Sequence, residues 1–389
     1  MEHNRARIEP AIRTTLVNEY YFSSKLREVA ELRAQGRDII NLGIGSPDLA
    51  PSEVTLSTLC GDSARSGVHG YQSYTGIEPL RRAFADWYER YFNVTLNPDN
   101  EILPLIGSKE GIMHISMAFL NPGDKVLVPD PGYPAYRSAS LLAGGEVESY
   151  NLTRANNWYP DFEELAGRDL SKVKIMWINY PHMPTGQPAS KKVYEKLVKL
   201  AHDNNFLICS DNPYSFILNN KHISILSVDG AKDVAIELNS LSKSHNMPGW
   251  RVGMVAGKNE YISAILKVKS NMDSGMFYPL QTAAAVALSA DNDWYEKLNT
   301  VYSGRRKKAE QMMDILGCNY DKSQTGLFLW GEIPDNIETG EEMCDKLLYE
   351  KSIFITPGSV FGKEGKRYVR ISLCTDEKTF DIGLSRIIN

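Results

Sequence analysis

Lys243 is the residue in this 389-residue chain whose setting most favours covalent chemistry. It stands between small hydroxyl residues in the run from Ser240 to Ser244, after the apolar stretch 234–241, where a strand is expected to give way to a loop. Open α/β sheets bind their ligands at strand ends, and a lysine there can form a Schiff base if its pKa is lowered. A lone lysine near a turn is more often a surface residue, so the case for a reactive lysine depends on the neighbouring residues. Ser240 offers a hydroxyl to an anion, and Arg251 offers a planar guanidinium that can grip phosphate.

Asp211 and Tyr214 form a second candidate pair. Asp211 follows the apolar strand expected at 206–209, and Tyr214 comes three residues later. A charge after a strand usually marks only the start of a loop. A functional role for this pair is better supported because the lysine run lies downstream of it in the sequence.

The run Gly107-Ser108-Lys109 precedes an apolar helical stretch at 112–120. A glycine-opened loop that leads into a helix presents free backbone N–H groups and the positive end of the helix dipole, which together favour a phosphate. An ordinary N-cap by Ser108 explains the same residues. The run therefore predicts an anion site only in combination with the other motifs.

Three further residues have types that suit a binding site. Arg370 lies in a strand expected at 368–373, where an arginine would be costly to bury without an anionic partner. Tyr133 lies in a proline-rich turn, and Tyr71 comes five residues before Gly76. The alternatives are a surface-edge arginine for Arg370, an ordinary turn tyrosine for Tyr133 and a core aromatic for Tyr71.

The ordered set of motifs closely resembles that of the fold-type I pyridoxal-phosphate (PLP) aminotransferases, class I/II, of the aspartate aminotransferase superfamily. The resemblance runs from about 41 to 372. It implies that Lys243 holds PLP as a Schiff base and later acts as a general base, and that Asp211 keeps the pyridine nitrogen protonated. It also implies that Tyr214 donates to the ring's phenolic oxygen and that Arg370 binds the substrate carboxylate.

The resemblance assigns the remaining site residues as well. Those expected to contact the cofactor are Gly107, Ser108, Lys109, Tyr133, Ser240, Arg251 and, from the neighbouring subunit, Tyr71. Those expected to line the substrate pocket are Ile44, Gly45 and Asn179. A tyrosine shared across subunits implies a homodimer, and no metal is expected because metal-binding motifs such as HExxH do not occur.

Met183 departs from the family pattern, because the family's Asn-Pro-Thr-Gly appears here as Met-Pro-Thr-Gly. The family's asparagine donates to the cofactor's phenolic oxygen, and methionine cannot donate. Tyr214 then holds that oxygen alone, or His182 or Asn179 takes over. We expect a Schiff-base pKa higher than is usual in this family.

The middle of the chain alternates short apolar strands, such as 125–129 and 173–179, with helical stretches, such as 190–204. This alternation predicts an α/β fold with a mostly parallel sheet covered on both faces. The resemblance implies seven strands in a large PLP-binding domain at 42–290. A smaller α+β domain is expected from 1–41 and 291–389.

Composition narrows the functional classes. The net charge of −5 argues against nucleic acid as a partner. The sequence has no apolar run of membrane-spanning length, and its first residues lack the apolar stretch of a signal peptide. Its five scattered cysteines fit a reducing compartment, so a cytoplasmic location is expected. The dense basic run 305–308 is interpreted as a solvated helix face. The aromatic residues at 20–22 are expected to pack rather than to cover an entrance.

The function expected from the resemblance is transfer of an amino group between an L-amino acid and a 2-oxo acid by a ping-pong mechanism. Two alternatives stay open. One is a PLP-dependent β- or γ-lyase, and the other is a PLP-fold regulatory protein without turnover. The sequence does not identify the amino acid or the pathway.

Overall fold

The structure is a computed structural model that describes residues 8–388. Within this range the strands, in chain order, are β1 (Ile40–Asn41), β2 (Ile102–Leu105), β3 (Lys125–Asp130), β4 (Glu146–Asn151), β5 (Val173–Asn179), β6 (Leu207–Asp211), β7 (Ala235–Ser240), β8 (Gly253–Gly257), β9 (Asn319–Tyr320), β10 (Phe328–Glu332), β11 (Ile353–Phe354), β12 (Thr356–Pro357) and β13 (Tyr368–Ser372).

The α-helices of the described range are α1 (Tyr21–Ala34), α2 (Glu53–Ser63), α3 (Glu78–Phe92), α4 (Ser108–Phe119), α5 (Pro134–Leu142), α6 (Phe162–Ala166), α7 (Lys191–Asn204), α8 (Ala231–Val234), α9 (Leu241–Ser244), α10 (Asn259–Lys269), α11 (Tyr278–Leu288), α12 (Asn292–Ile315), α13 (Gly340–Lys351) and α14 (Glu377–Ile388). Short 3₁₀ turns occur at Ile12–Leu16, Arg154–Asn156, Ile225–Ser227, Gly358–Phe361 and Lys363–Gly365.

Seven strands form the central sheet in the order β2-β8-β7-β6-β5-β3-β4. Every adjacent pair is parallel except the two made by β8, which runs antiparallel to β2 and to β7. All residues of β6 and β7 are buried. Strands buried on both faces tend to read as apolar runs, and the run 206–209 predicted β6 in this way, whereas β7 also contains the buried polar residues Glu237 and Asn239. The predicted α/β fold with a mostly parallel seven-stranded sheet is confirmed.

The register of the inner strands brings polar residues to one edge of this sheet. Asn179 pairs with Asp211 across β5 and β6, and Asp211 pairs with Leu238 across β6 and β7. Ser240 ends β7 and pairs with Gly253. Because parallel neighbours end at the same edge, Asn179, Asp211 and Ser240 lie near one another at the carboxyl ends of three strands.

Helix α7 illustrates how the covering helices form. Its buried residues Tyr194, Leu197, Val198 and Ala201 recur at three- and four-residue spacing, so they make one apolar stripe against the sheet. The helix ends at Asn205, whose left-handed backbone stops it. No helix in residues 8–388 combines the length and the apolar character needed to cross a bilayer.

Two smaller sheets lie outside the central one. A four-stranded sheet has the order β12-β13-β10-β9, and β1 pairs in parallel with β11. The β1–β11 pair links the N-terminal part of the chain to its last third. The division into 42–290 against 1–41 with 291–389 stays a prediction, and residues 1–7 and 389 lie outside the described range.

The interpretation of 305–308 as a solvated face is wrong for its first two residues. Arg305 and Arg306 are only 3% and 8% exposed. Arg305 forms a bidentate pair with Asp48, at 2.6 and 2.8 Å from its two carboxylate oxygens, and also donates to the backbone oxygen of Leu373. The partners lie far away in sequence, so a local charge pattern could not reveal them.

The Arg305–Asp48 pair predicts a measurable stability effect. We expect Arg305→Ala to lower the free energy of unfolding by about 2–4 kcal/mol, because it leaves Asp48 and a backbone carbonyl without their donor. Urea titration of the cofactor-free protein measures this. The exposed neighbour Lys307 provides the control, since Lys307→Ala should change stability by less than about 0.5 kcal/mol. Equal effects of the two substitutions would contradict the assignment.

Candidate active site

A cavity of about 470 Å³ opens at the carboxyl edge of β5, β6 and β7. Twelve of the fourteen site residues expected from the sequence line it, and Gly107 and Tyr71 do not. The twelve are Ile44, Gly45, Ser108, Lys109, Tyr133, Asn179, Asp211, Tyr214, Ser240, Lys243, Arg251 and Arg370. The cavity thus collects residues from most of the length of the chain.

Lys243 lies in α9, the single turn that follows β7. Its amine donates to the backbone oxygen of Gly45 at 2.6 Å. Burial lowers the pKa of the Lys243 amine, and the positive charges of Arg370 and Arg251 lower it further. A lowered pKa raises the fraction of neutral amine, which is the form that attacks a carbonyl carbon.

Asp211 presents two carboxylate oxygens in different surroundings. Oδ2 accepts a hydrogen bond from the hydroxyl of Tyr136 at 2.8 Å. Oδ1 is buried and has no hydrogen-bond partner among the described residues. Burial raises the pKa of Asp211 to about 7. An unpartnered buried carboxylate oxygen is a candidate acceptor for a hydrogen bond from a bound molecule.

Gly107, Arg251 and the start of α4 form a cradle for an anion. Gly107 has a φ of 81°, and a Cβ there would lie 2.1 Å from Nη2 of Arg251, so only glycine fits. Arg251 is held by hydrogen bonds from Nη1 to the backbone oxygen of Pro248 at 2.8 Å and to Oγ of Ser242 at 3.3 Å. The free N–H groups of the first turn of α4 follow directly, as in phosphate sites at helix N-termini.

Ser240 supports the same cradle from β7. Its Oγ accepts from the backbone N–H of Ser242 at 3.2 Å and donates to Ser242 Oγ at 2.9 Å. This bond caps α9 and so fixes the turn that carries Lys243.

Arg370 lies on β13 and is 3% exposed. Its guanidinium carbon lies 3.9 Å from the ring centre of Phe328 and 4.6 Å from that of Phe361, and Nη2 donates to the backbone oxygen of Gly43 at 2.7 Å. No described carboxylate forms an ion pair with it, and Nε has no partner among residues 8–388. Burial lowers its pKa to about 10, so it stays cationic at neutral pH and its surroundings favour an incoming anion.

Tyr133 and Tyr214 both border the cavity. Burial raises the pKa of each hydroxyl above its ordinary value, so both remain protonated donors. The Tyr214 ring packs edge-on against Phe328 with 5.9 Å between ring centres. Their predicted contacts with the cofactor stay predictions.

Met183 occupies the position where the family has asparagine, and its sulfur lies 3.3 Å from Nη1 of Arg370. Asn179 donates to the backbone oxygen of Asp211 at 2.5 Å and accepts from the backbone N–H of Met183 at 2.7 Å. His182 is buried outside the cavity lining, with its Nδ1 2.8 Å from Thr185 Oγ1. Of the two suggested substitutes, only Asn179 borders the cavity, and its amide already binds backbone groups.

Several lining residues escaped the sequence analysis. Tyr20 and Phe22 line the cavity, contrary to the expectation that they only pack. Tyr136, Phe328 and Phe361 also line it. Tyr136 had a usable signal, because it follows Tyr133 by three residues in a helix that starts with proline and therefore lies on the same side of the first turn. The two phenylalanines reach the site only through tertiary packing.

Glu110, His114 and Asp273 bring potential metal-binding atoms within 4.8 Å of one another. The ammonium of Lys269 lies 2.7 Å from Asp273 and already neutralises that carboxylate. The group therefore has a sufficient explanation as a charge-compensated cluster.

The model of the family described as aminotransferase class I and II matches residues 37–387. The chain belongs to this family. It is an aminotransferase, and the predicted family and reaction class are confirmed.

Relatives and solved structures agree with this assignment. The aminotransferase is 40% identical to the LL-diaminopimelate aminotransferase of Dehalococcoides mccartyi strain 195 over 95% of this chain and 96% of that one. It is 41% identical to the enzyme of the same name from Aquifex aeolicus, over 97% and 98% of the two chains. Among structures, substrate-bound BacF from Bacillus subtilis superimposes with a TM-score of 0.93 at 34% identity over 98% and 97%. A mutant aspartate aminotransferase of Thermus thermophilus gives 0.90 at 26% identity over 98% and 99%.

The raised pKa of Asp211 predicts how stability depends on pH. Folded Asp211 titrates near pH 7 and the unfolded residue near 4, so the folded cofactor-free protein binds more protons and loses stability as pH rises between these values. We expect Asp211→Asn to stabilise the cofactor-free protein by roughly 1–3 kcal/mol at pH 8 and by little at pH 4.

Urea unfolding at the two pH values measures this effect. The matched control is Asp203→Asn, because Asp203 is an exposed carboxylate that pairs with Lys199 on α7. An Asp211→Asn protein that is no more stable than wild type at pH 8 would contradict the raised pKa.

Proposed function

We propose that this aminotransferase binds pyridoxal 5′-phosphate on Lys243 and moves an amino group between an L-amino acid and a 2-oxo acid by a ping-pong mechanism. One observation carries the proposal. A single cavity contains a lysine of lowered pKa, a buried carboxylate with an unpartnered oxygen and a buried arginine without a carboxylate partner. Each group lacks the partner that one part of the cofactor–substrate complex would provide.

The residues present fit the cofactor. Oδ1 of Asp211 is an acceptor for a pyridinium N–H, and the cradle of Gly107, Arg251 and the α4 start suits a phosphate. Tyr133 supplies an aromatic ring at the cavity wall. When bound, pyridoxal phosphate supplies an electrophilic carbonyl and a ring that accepts electrons from the substrate's Cα.

Lys243 is the residue proposed to handle the proton. Its Nζ lies at the cavity wall and is held by one acceptor, the backbone oxygen of Gly45. Once free of the cofactor, a neutral Nζ takes the proton from the substrate's Cα as a general base. Burial supports this role because it lowers the pKa of the amine.

Arg370 is proposed to orient every substrate by its α-carboxylate. The planar guanidinium can bind a carboxylate through two parallel hydrogen bonds. Phe328 and Phe361 pack on the guanidinium and limit its movement. Ile44 and Gly45 border the same space and are proposed to line the substrate site.

A homodimer with shared active sites is the proposed assembly. Tyr71 is 92% exposed, and Tyr74, three residues later in the chain, is exposed as well. Met272 and Phe277 are also exposed, and Gly275 between them lies next to the backbone of Gln72, so they are near Tyr71 in space. An exposed patch of large apolar side chains favours a subunit interface. Tyr71 would then reach the phosphate of the partner's cofactor.

LL-diaminopimelate is the candidate substrate, because relatives about 40% identical over the whole chain carry that name. It has a second carboxylate at its far end. Lys109 lines the cavity with its Nζ 4.3 Å above the ring centre of Tyr20, and it forms no ion pair with a described residue. An unpaired ammonium at this wall supports binding of a second anionic group, beside its predicted role in the phosphate cradle.

A cytoplasmic location, and the absence of nucleic-acid and membrane partners, remain predictions from composition. All five cysteines are free in the structure, which supports a reducing compartment.

The first test is the half-reaction. We expect LL-diaminopimelate, added to cofactor-loaded enzyme without an acceptor, to change the visible cofactor spectrum and release one oxo acid per site. Lys243→Ala should lack the starting absorbance band, and borohydride followed by peptide mapping should place the cofactor on Lys243, whereas surface Lys258→Ala should behave as wild type. A response to other amino acids only would reject the substrate, and no response to any would reject the function.

The shared site makes its own prediction. We expect Tyr71→Phe to weaken cofactor binding about tenfold, the effect of losing one hydrogen bond to a charged group. Equilibrium dialysis measures the affinity. Tyr349→Phe, at another exposed tyrosine, is the control. Because Tyr71 lies outside the cavity of its own chain, unchanged affinity would contradict sharing across the dimer.

A further inference from the structure

Tyr136 is a cavity residue to which none of the expected roles applies. It lies in the first turn of α5 and is 1% exposed. Its hydroxyl donates to Oδ2 of Asp211 at 2.8 Å. The other oxygen of Asp211, Oδ1, is left without a partner among the described residues. The two oxygens therefore have separate tasks.

The ring of Tyr136 is held firmly. It stacks on Trp177 of β5 with 4.9 Å between ring centres and an angle of 4° between the planes. Tyr133 meets it edge-on, at 5.5 Å and 85°. A ring fixed on two sides gives its hydroxyl one direction, and that direction is toward Asp211.

We propose that Tyr136 is a positioning residue for the cofactor: its hydroxyl holds Oδ2 of Asp211 and thereby turns Oδ1 toward the pyridine nitrogen. The inference rests on the proposed function, because it concerns the same cofactor. It adds Tyr136 to the proposed site and gives it the role of orienting Asp211. Asp211 makes the contact, and Tyr136 sets the orientation of its carboxyl group and favours its anionic form.

The charges around Asp211 explain why this support matters. Burial raises the pKa of Asp211, and the nearby carboxyl of Glu237 raises it too. The Tyr136 hydroxyl and the positive charge of Lys243 act in the opposite direction. Of these two groups, the Tyr136 hydroxyl is the one hydrogen-bonded to the carboxylate, 2.8 Å from Oδ2, so it favours the anionic form directly.

Tyr136 is suited to this task because it stays protonated. Burial and the neighbouring Asp211 raise its pKa well above the ordinary tyrosine value. Its hydroxyl is therefore a donor throughout the working pH range. A phenylalanine would keep the stack on Trp177 and remove only this donor.

The test is Tyr136→Phe in the cofactor-loaded enzyme. We expect kcat for the amino-acid half-reaction to fall about tenfold or more, because the carboxylate is no longer held as an anion in the required orientation. The decisive readout is spectroscopic. The nitrogen-15 NMR signal of enzyme loaded with ring-labelled pyridoxal phosphate should move toward that of an unprotonated pyridine.

Tyr150→Phe is the matched control. Tyr150 is equally buried, and its hydroxyl donates to the backbone oxygen of Trp177 at 2.7 Å, so the substitution also removes one buried hydrogen bond from β5. It does not touch Asp211. We expect its nitrogen-15 signal to match that of wild type.

Two outcomes would overturn the proposal. One is a Tyr136→Phe enzyme with a protonated ring nitrogen and wild-type kcat. The other is an equal loss in the Tyr136→Phe and Tyr150→Phe enzymes, which would show a structural role only. Failure of wild-type enzyme to bind the cofactor would instead reject the proposed function, so the two failures are distinguishable.

Discussion

The parallel register of β5, β6 and β7 is the constraint on which the site depends. It places the last residues of three strands side by side, so Asn179, Asp211 and Ser240 share one edge. Strand pairing of this kind is set by backbone hydrogen bonds and by burial on both faces, and a slip of one residue would reverse every side chain. The positions of the polar residues thus follow from the packing of apolar ones.

The cavity at this edge is bordered by buried polar groups that have few or no hydrogen-bond partners. Asp211 Oδ1 and Arg370 Nε are buried without hydrogen-bond partners in the described chain, and the Lys243 amine has a single backbone acceptor. Each such group costs stability, by about 1–3 kcal/mol for a buried polar atom. A ligand with a protonated ring nitrogen and a carboxylate would give partners to Asp211 and Arg370, and a carbonyl group would react with Lys243, so the groups that cost stability are also the groups suited to binding.

The sequence was informative where local pattern and burial agree. The strand 173–179 was predicted with the bounds that the structure has, because a parallel strand buried on both faces is mostly apolar, here all but the exposed Lys174 and the terminal Asn179. Most expected cavity residues were found because they follow strands or start helices in family order. The two strands Ile102–Leu105 and Glu146–Asn151 were missed; the first holds a proline and the second lies at the sheet edge with mixed polarity.

The burial and contacts of residues whose partners lie in other elements could not be predicted from the sequence. Arg305 and Arg306 looked like surface residues because Asp48 and the carbonyl groups near Gln324 approach them only in the folded chain. Phe328 and Phe361 pack on Arg370 in the same way. Contacts between separate elements, 257 residues apart for Asp48 and Arg305 but only 18 for Arg306 and Gln324, have no signal in the local spacing of a single sequence.

The stretch from Asn41 to Asp48 is held by several remote elements at once. Leu42 pairs with Phe354, Gly43 accepts from Arg370, Gly45 accepts from Lys243, and Asp48 binds Arg305. This stretch therefore connects Arg370, which is proposed to bind substrate, with Lys243, which is proposed to carry the cofactor. If the amine leaves the Gly45 carbonyl on binding the proposed cofactor, this stretch would lose one of its anchors, and cofactor loading would then be coupled through a single backbone oxygen to the freedom of the proposed substrate site.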